Sequence, residues 1–336
     1  MIRLSSASEI VESVARSREV GVLAYTLRRG AVLAALEKAA ERGAHVCVRL
    51  EGAPYGATAG ALARYNRRIA AELTRCGAEV QLAQATTAAS DAPVHAKALV
   101  AGECVYLDDR NFGDGDFIVA DGDARDARNT WAAIDGCAPA DSTDAAFAIH
   151  KRAALAREAA LLRATQPGVD VIVESESFGY SNPVYSALDA LAKNGRTPRL
   201  LVSSREARNA REAKALAHLA VDGVAIRLTR STEKFALAGD RAWIGSANAS
   251  PAFGDPDMLD WGLCTSDRAT VAAARERVEA RWRDGARLTD FYRETAAVIE
   301  RAAGWQDKIS DTDVQGAGVG VGLTVTPNCG NGTDPY

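Results

Sequence analysis

One pattern of residues occurs twice in this chain and limits how the chain can fold. The first copy spans 95–111 and the second spans 232–248. Each copy has a lysine at its third place, an asparagine at its last place, and two short apolar runs separated by a glycine and an acidic residue. Because residues two apart on a strand share a face, the first residue and the lysine of each copy point the same way. Two fused, similar halves are therefore predicted.

The polar residues of the two copies suit a phosphodiester. Such a group repels nucleophiles by its charge, so a catalyst needs cations and amide donors on the non-bridging oxygens, a nucleophile in line and an acid for the leaving oxygen. Neutral imidazole can be the nucleophile. Two lysines at matched places in strands call for an anionic ligand or paired acids, because an unpaired buried lysine is costly. The predicted catalytic residues are His95, Lys97, Asn111, Lys234, Ser246 and Asn248.

The sequence His-x-Lys, followed by an apolar run and by Gly-Ser-x-Asn, resembles the phospholipase D superfamily, whose members pair two such motifs in one site. The resemblance covers roughly residues 1–300. It implies that His95 forms a covalent phosphohistidine and that the reaction needs no metal ion or cofactor. It also implies that the two motifs of this single chain share one site.

The pattern departs from the superfamily at three places. Gly102 and Gly239 stand where the superfamily has an aspartate, and Asp108-Asp109-Arg110 replaces the first Gly-Ser-x. Thr232 stands where the second histidine is expected, and a hydroxyl has no useful acidity near pH 7. The chain is therefore missing its expected general acid.

Three acidic residues are candidates for replacing or supporting that acid. Glu233 is next to Thr232 but points to the opposite face of a regular strand, so it would need a bulge. Asp116 and Asp260 each open a strand after their motif. By the resemblance, an acidic residue at this place orients the imidazole; an ordinary acid at a strand start is the alternative.

Strands and helices alternate through both halves, which predicts an α/β fold with helices on largely parallel or mixed sheets. Helices are expected at 31–42 and 62–75 in the first half, and from 143 to 163 and after the capping residue Asn182 in the second. The resemblance implies that the halves are related by a pseudo-twofold axis. The predicted domains are 1–140, 141–303 and a Gly-rich flexible tail at 304–336.

Composition and charge bear on which ligands and surroundings are expected for this protein. A formal net charge of −4 and a pI of about 5.7 lack the basic footprint of a protein that grips long nucleic acid. The six cysteines are scattered without metal-ligand spacing. No apolar run approaches the roughly 18 residues that a membrane span needs. A cytoplasmic monomer is expected.

Two functions from different classes remain open. The first is a phosphodiesterase, or a phosphatidyl or phosphoryl transferase, that uses His95. The alternative is a catalytically impaired pseudoenzyme that binds phosphate or nucleic acid. The substrate, whether lipid, nucleotide or nucleic acid, is not resolved by the sequence.

Overall fold

A computed structural model describes residues 2–54, 58–83, 93–113, 115–136, 147–250 and 258–290. Residues 1–285 form one compact unit, and the described residues from 286 onward belong to a second. Within the first unit, strands and helices build two mixed sheets flanked by helices. The predicted fold class is confirmed by this architecture.

The first sheet has seven strands in the order β1-β7-β6-β5-β2-β3-β4. Strands β2, β3 and β4 are parallel, and the other neighbours are antiparallel. Its strands are β1 (Ile2–Ser5), β2 (Glu19–Ala24), β3 (His45–Glu51), β4 (Glu79–Ala83), β5 (Lys97–Ala101), β6 (Cys104–Asp108) and β7 (Ile118–Asp121). Its helices are α1 (Ala7–Arg16), α2 (Ala31–Glu41), α3 (Ala59–Arg75) and α4 (Ala124–Ile134).

The second sheet repeats this order strand for strand as β8-β14-β13-β12-β9-β10-β11. Its strands are β8 (Phe147–Ala148), β9 (Val171–Ser175), β10 (Arg199–Ser203), β11 (Ala225–Thr229), β12 (Phe235–Ala238), β13 (Arg241–Gly245) and β14 (Gly262–Thr265). Its helices are α5 (Lys151–Arg163), α6 (Pro183–Lys193), α7 (Ala210–Asp222) and α8 (Arg268–Asp284), with one 3-10 turn at Glu206–Arg208. The equal order supports a duplicated unit. The second compact unit begins with the two-residue strand β15 (Ala286–Arg287).

Local chemistry explains several helix starts. Ser6 caps α1 by accepting the N–H of Glu9 at 3.3 Å. Asn182 caps α6 by accepting two backbone N–H groups at 2.9 Å, and Pro183 occupies the first helical position, which needs no donor. The motif strands are joined by Gly102 and Gly239, whose φ angles of +64° and +61° favour glycine. This turn accounts for the missing aspartate at both places.

One hydrophobic core lies between the two sheets and joins the halves. The Phe117 and Phe235 rings, one from each half, meet edge to face with centroids 5.1 Å apart. The buried Trp261 indole of the second half donates to the carbonyl of Asp108 in the first at 2.9 Å. The halves are therefore packed as one body.

Some predictions fail or lie outside the described residues. The helix predicted from 143 is wrong at its start, because Phe147–Ala148 is a strand paired with β14 and α5 begins at Lys151. The boundary at 140/141 and the 304–336 tail lie outside the described residues, so the domain limits stay predictions. Within those residues, no helix is long and apolar enough to cross a membrane.

Candidate active site

His95 lies just before β5, where the chain contacts the other half. His95 donates its backbone N–H to the carbonyl of Leu259 in the second half at 2.8 Å. The preceding residue, Val94, forms an isolated bridge with Leu259 and donates to the buried carboxylate of Glu51 at 2.7 Å. Bonds on both sides thus fix the backbone on which the imidazole stands.

The imidazole of His95 is bound to a carboxylate from the other half. Its Nδ1 lies 2.8 Å from Oδ1 of Asp260, which also accepts the Ser246 hydroxyl at 2.7 Å. All three residues are buried. Burial lowers the pKa of His95 to about 4, helped by the charge of Lys97. Burial alone would raise the pKa of Asp260, but its interactions with His95 bring it down to about 2.

The chemical consequence is a defined tautomer. An ionised carboxylate only accepts hydrogen bonds, so Nδ1 of His95 carries the hydrogen and Nε2 carries the lone pair. A neutral imidazole with its lone pair on Nε2 is the form that attacks phosphorus. Asp260 is thus bonded to the imidazole and Ser246 donates to the same carboxylate oxygen, and the orienting role of Asp260 stays a prediction.

The two motif lysines make the same bond in their two halves. Lys97 Nζ donates to the carbonyl of His95 at 2.5 Å, and Lys234 Nζ donates to the carbonyl of Thr232 at 2.5 Å. Both side chains are buried. Burial lowers the pKa of Lys97 to about 7, and the next contribution is the positive charge of Lys234. The two ammonium groups therefore lie close enough to repel each other.

The residues that follow β2 and β9 differ between the halves. Strand register places Ala24 opposite Lys97, and the same register continued by one residue places Ser175 opposite Lys234. The next residues, Tyr25 and Glu176, are therefore counterparts. Tyr25 packs edge to face on His95 with centroids 5.3 Å apart.

Glu176 places a carboxylate in the site. Its Oε2 lies 3.3 Å from Lys234 Nζ, and its side chain is 30% exposed. Burial raises the pKa of Glu176, but the positive charges of Lys234 and Lys97 outweigh it and leave the pKa below its ordinary value. A negative charge thus faces the cations that were expected to hold phosphate.

The two motif asparagines follow β6 and β13. The carbonyl of Asn111 accepts the N–H of Arg28 at 3.3 Å, while Asn248 Oδ1 accepts the N–H of Ser177 at 3.4 Å. Each asparagine therefore contacts the loop after the first central strand of its own half. Both side chains are half-buried. Direct contacts thus join four of the predicted residues: His95, Lys97, Ser246 and Asp260. Lys234 is close enough to Lys97 for their charges to interact, and its direct contacts are with Glu176 and the carbonyl of Thr232.

Asp116 does not contact position 232. Its carboxylate accepts the backbone N–H groups of Asn111 at 3.2 Å and Gly113 at 2.7 Å, and pairs with Arg110 at 2.8 Å. Asp109 exchanges backbone and side-chain bonds with Phe117, as Ser246 does with Trp261 in the second half. The acidic stretch before Asn111 therefore belongs to a buried charge cluster.

Glu233 is also held in that cluster. Its carboxylate pairs with Arg277 at 2.8 Å, Arg281 at 2.6 Å and Arg110 at 3.8 Å. Lys234, the next residue, pairs with Glu176 instead, so the two neighbouring side chains have different partners. Thr232 is half-buried, and its carbonyl is what Lys234 binds.

Sequence reasoning missed three residues of this site: Tyr25, Glu176 and Lys151. The first two could have been found as a matched pair at the ends of equivalent strands. Lys151 opens α5, is buried, and is close enough to Asp260 for the two charges to influence each other. Burial lowers its pKa. No motif marked it, because its counterpart near the start of α1 is not basic.

Three groups of side chains in the described residues have the spacing of metal ligands: Asp108 with Asp109 and Asp116, His45 with Cys47 and Glu79, and Asp189 with His218 and Asp222. The first group already accepts backbone N–H bonds at each carboxylate. The others lie outside the contacts around His95. The absence of a metal from the chemistry stays a prediction.

Comparison with known proteins places the fold. No protein-family model matches the chain, and no curated protein matches its sequence. Phosphatidylserine synthase from Haemophilus influenzae Rd KW20 matches at TM-score 0.61 and 12% identity, over 92% of this chain and 94% of that one. Polyphosphate kinase from Porphyromonas gingivalis matches at TM-score 0.58 and 14% identity, over 89% of this chain and 56% of that one.

At these identities the two matching structures show the fold alone. This chain spans only about half the length of the polyphosphate kinase. The phospholipase D-like fold expected from the paired motifs is confirmed.

Proposed function

We propose that the chain catalyses phosphodiester hydrolysis or phosphatidyl or phosphoryl transfer through a covalent phosphohistidine on His95. The observation that carries the proposal is the bond across the halves from His95 Nδ1 to Asp260 at 2.8 Å. It fixes the tautomer whose Nε2 can attack, and burial keeps that imidazole neutral near pH 7.

The chemistry follows in two steps. Nε2 of His95 forms a bond to phosphorus, and the bond to the leaving oxygen breaks, with its electron pair staying on that oxygen. Lys97 and Lys234 stabilise the negative charge on the non-bridging oxygens. Water or an acceptor alcohol then attacks phosphorus, and the electron pair of the N–P bond returns to Nε2.

The two matching structures are a phosphatidylserine synthase and a polyphosphate kinase, which by name act on phosphate-containing groups. A fold alone does not carry an activity from one protein to another. The proposal therefore depends on the His95–Asp260 contact and the two lysines.

The test is to trap the intermediate. The full chain is incubated with a phosphodiester panel that includes a ³²P-labelled diester, quenched in alkali and analysed for acid-labile phosphohistidine. We expect label on the wild type and none on His95→Ala. His45→Ala is the matched control, because His45 is exposed at the start of β3. Phosphate binding without label or turnover would favour the alternative, a phosphate-binding pseudoenzyme. The replacement of the second histidine by Thr232 suggests that alternative.

A further inference from the structure

The candidate site contains an anion of its own, the carboxylate of Glu176. Glu176 lies 3.3 Å from the ammonium group of Lys234, and it is close enough to Lys97 for the two charges to interact. Its carboxylate therefore occupies part of the space where two lysines would hold a phosphate group. A bound phosphate must displace this carboxylate from Lys234 or share the cation with it.

The position of Glu176 also fits the missing acid. Tyr25, its counterpart in the first half, packs directly on the imidazole of His95. By the equal strand order and register, Glu176 and Tyr25 are counterparts in the two halves. Position 232, where the resemblance places a histidine, carries the smaller side chain of a threonine.

We propose that Glu176 replaces the second histidine: displaced by the bound phosphate group, its carboxylate takes up a proton and donates it to the leaving oxygen. This inference rests on the proposed function. In the first step the Glu176 O–H bond breaks as the leaving oxygen gains the proton. In the second, the carboxylate takes a proton from the attacking water or alcohol, which restores the acid.

Electrostatics supplies the driving force for proton uptake. In the ligand-free chain, Lys234 and Lys97 favour the ionised carboxylate. A bound phosphate neutralises those cations and adds a like charge nearby, and both changes favour the protonated carboxyl. The segment that carries Glu176 is fixed by neighbouring bonds, since the Ser177 hydroxyl donates to Glu212 of α7 at 2.7 Å and its N–H donates to Asn248.

The first measurement is proton uptake on anion binding. Sulfate is the probe, because its charge is constant near neutral pH, and calorimetry at pH 6 in buffers of different ionisation enthalpy counts the protons. At pH 6 Lys97 is already mostly charged. We expect uptake in the wild type, its loss in Glu176→Gln, and its retention in His95→Asn and in the exposed control Glu276→Gln.

The second measurement is the leaving-group dependence of turnover. General acid catalysis contributes roughly 10²- to 10⁴-fold and matters most for a basic leaving oxygen. Glu176→Gln should slow an alkyl diester by at least about 100-fold and an aryl diester with an acidic phenol by only a few-fold. Glu276→Gln should leave both rates unchanged.

The outcomes separate this inference from the proposed function. If Glu176→Gln binds sulfate with unchanged proton uptake, or slows alkyl and aryl diesters equally, the role of Glu176 is wrong while the phosphohistidine on His95 stands. If the wild type forms no phosphohistidine and cleaves no diester, the proposed function fails and this inference fails with it. Circular dichroism of each variant checks its fold.

Discussion

The two halves of this protein share one strand order, but the equivalent carboxylates in them have different partners. Asp260 in the second half accepts the Ser246 hydroxyl and the imidazole of His95. Its counterpart Asp116 accepts two backbone N–H groups and pairs with Arg110. One carboxylate is bonded to an imidazole, whereas the other is paired with a guanidinium.

This difference shows how a site adapts when one imidazole is absent. A buried carboxylate without a partner is costly. With Thr232 in place of histidine, Asp116 lacks an imidazole N–H donor, and Arg110, from the stretch that departs from Gly-Ser-x, pairs with it instead. The unusual residues Asp109 and Arg110 therefore belong together with Asp116, and the three form one largely buried cluster with Glu233.

The largest expected effect comes from substituting Asp260, the carboxylate that is bonded to His95. Asp260→Asn should lower turnover by roughly 10²- to 10⁴-fold, because an amide no longer selects the Nδ1–H tautomer of His95. The matched substitution Asp116→Asn should change turnover by only a few-fold. Steady-state kinetics on one aryl diester measures both. Equal losses would mean that the two carboxylates do the same work.

The next effect concerns the two lysines. Burial and repulsion by Lys234 lower the pKa of Lys97 to about 7, so Lys97 loses its charge as the pH rises through that value. Sulfate affinity should therefore fall by up to about tenfold per pH unit above pH 7, the limit for one linked proton. Calorimetry from pH 6 to 9 on Glu176→Gln, in which the proton taken up by Glu176 is absent, measures this slope, and adding Lys97→Met should flatten it. A slope that persists in Lys97→Met would assign the titration to another group.

The smallest expected effect concerns the stability of the fold and comes from Asp109, the counterpart of Ser246 in the buried charge cluster. Burial, and then repulsion by Glu233, raise the pKa of Asp109 to about 6 in the folded chain, against about 3.9 when unfolded. Folding therefore binds a proton between these values, and stability falls as the pH rises from about 4 to about 6. Asp109→Ser, which copies Ser246, should remove this contribution.

The gain expected from that substitution is modest. At pH 7, Asp109→Ser should raise the melting temperature by about 2–4 °C, which corresponds to about 1 kcal/mol in a large domain. Thermal unfolding at pH 4, 5, 6 and 7 measures the difference from the wild type. A lower melting temperature at pH 7 would show that Arg110 depends on Asp109 more than on its other partners.

Much of this arrangement could be predicted from residue spacing. Duplicated strands place the lysines on one surface because side chains on a strand alternate with a period of two, and the same rule sends Glu233 to the other face. Helix α4 was missed although Asp123 caps it. The helix predicted from 143 failed at its start because a short apolar run does not distinguish a strand from a helix.

The features that escaped prediction depend on contacts distant in sequence. His95 and Asp260 are bonded although they lie in different halves, and only the resemblance suggested their relation. Glu176 escaped because its counterpart Tyr25 is chemically unlike it, so comparing the two halves gives no match there. The pairing of Arg110 with Glu233 likewise requires both sheets to be in place.

The fusion of two like halves in one chain has a genetic consequence. In a symmetric dimer one codon specifies both copies of a residue, so a change that removes one histidine removes both. Here positions 95 and 232 are separate codons. A mutation at one can therefore be selected without loss of the nucleophile at the other, and the same independence extends to Tyr25 and Glu176.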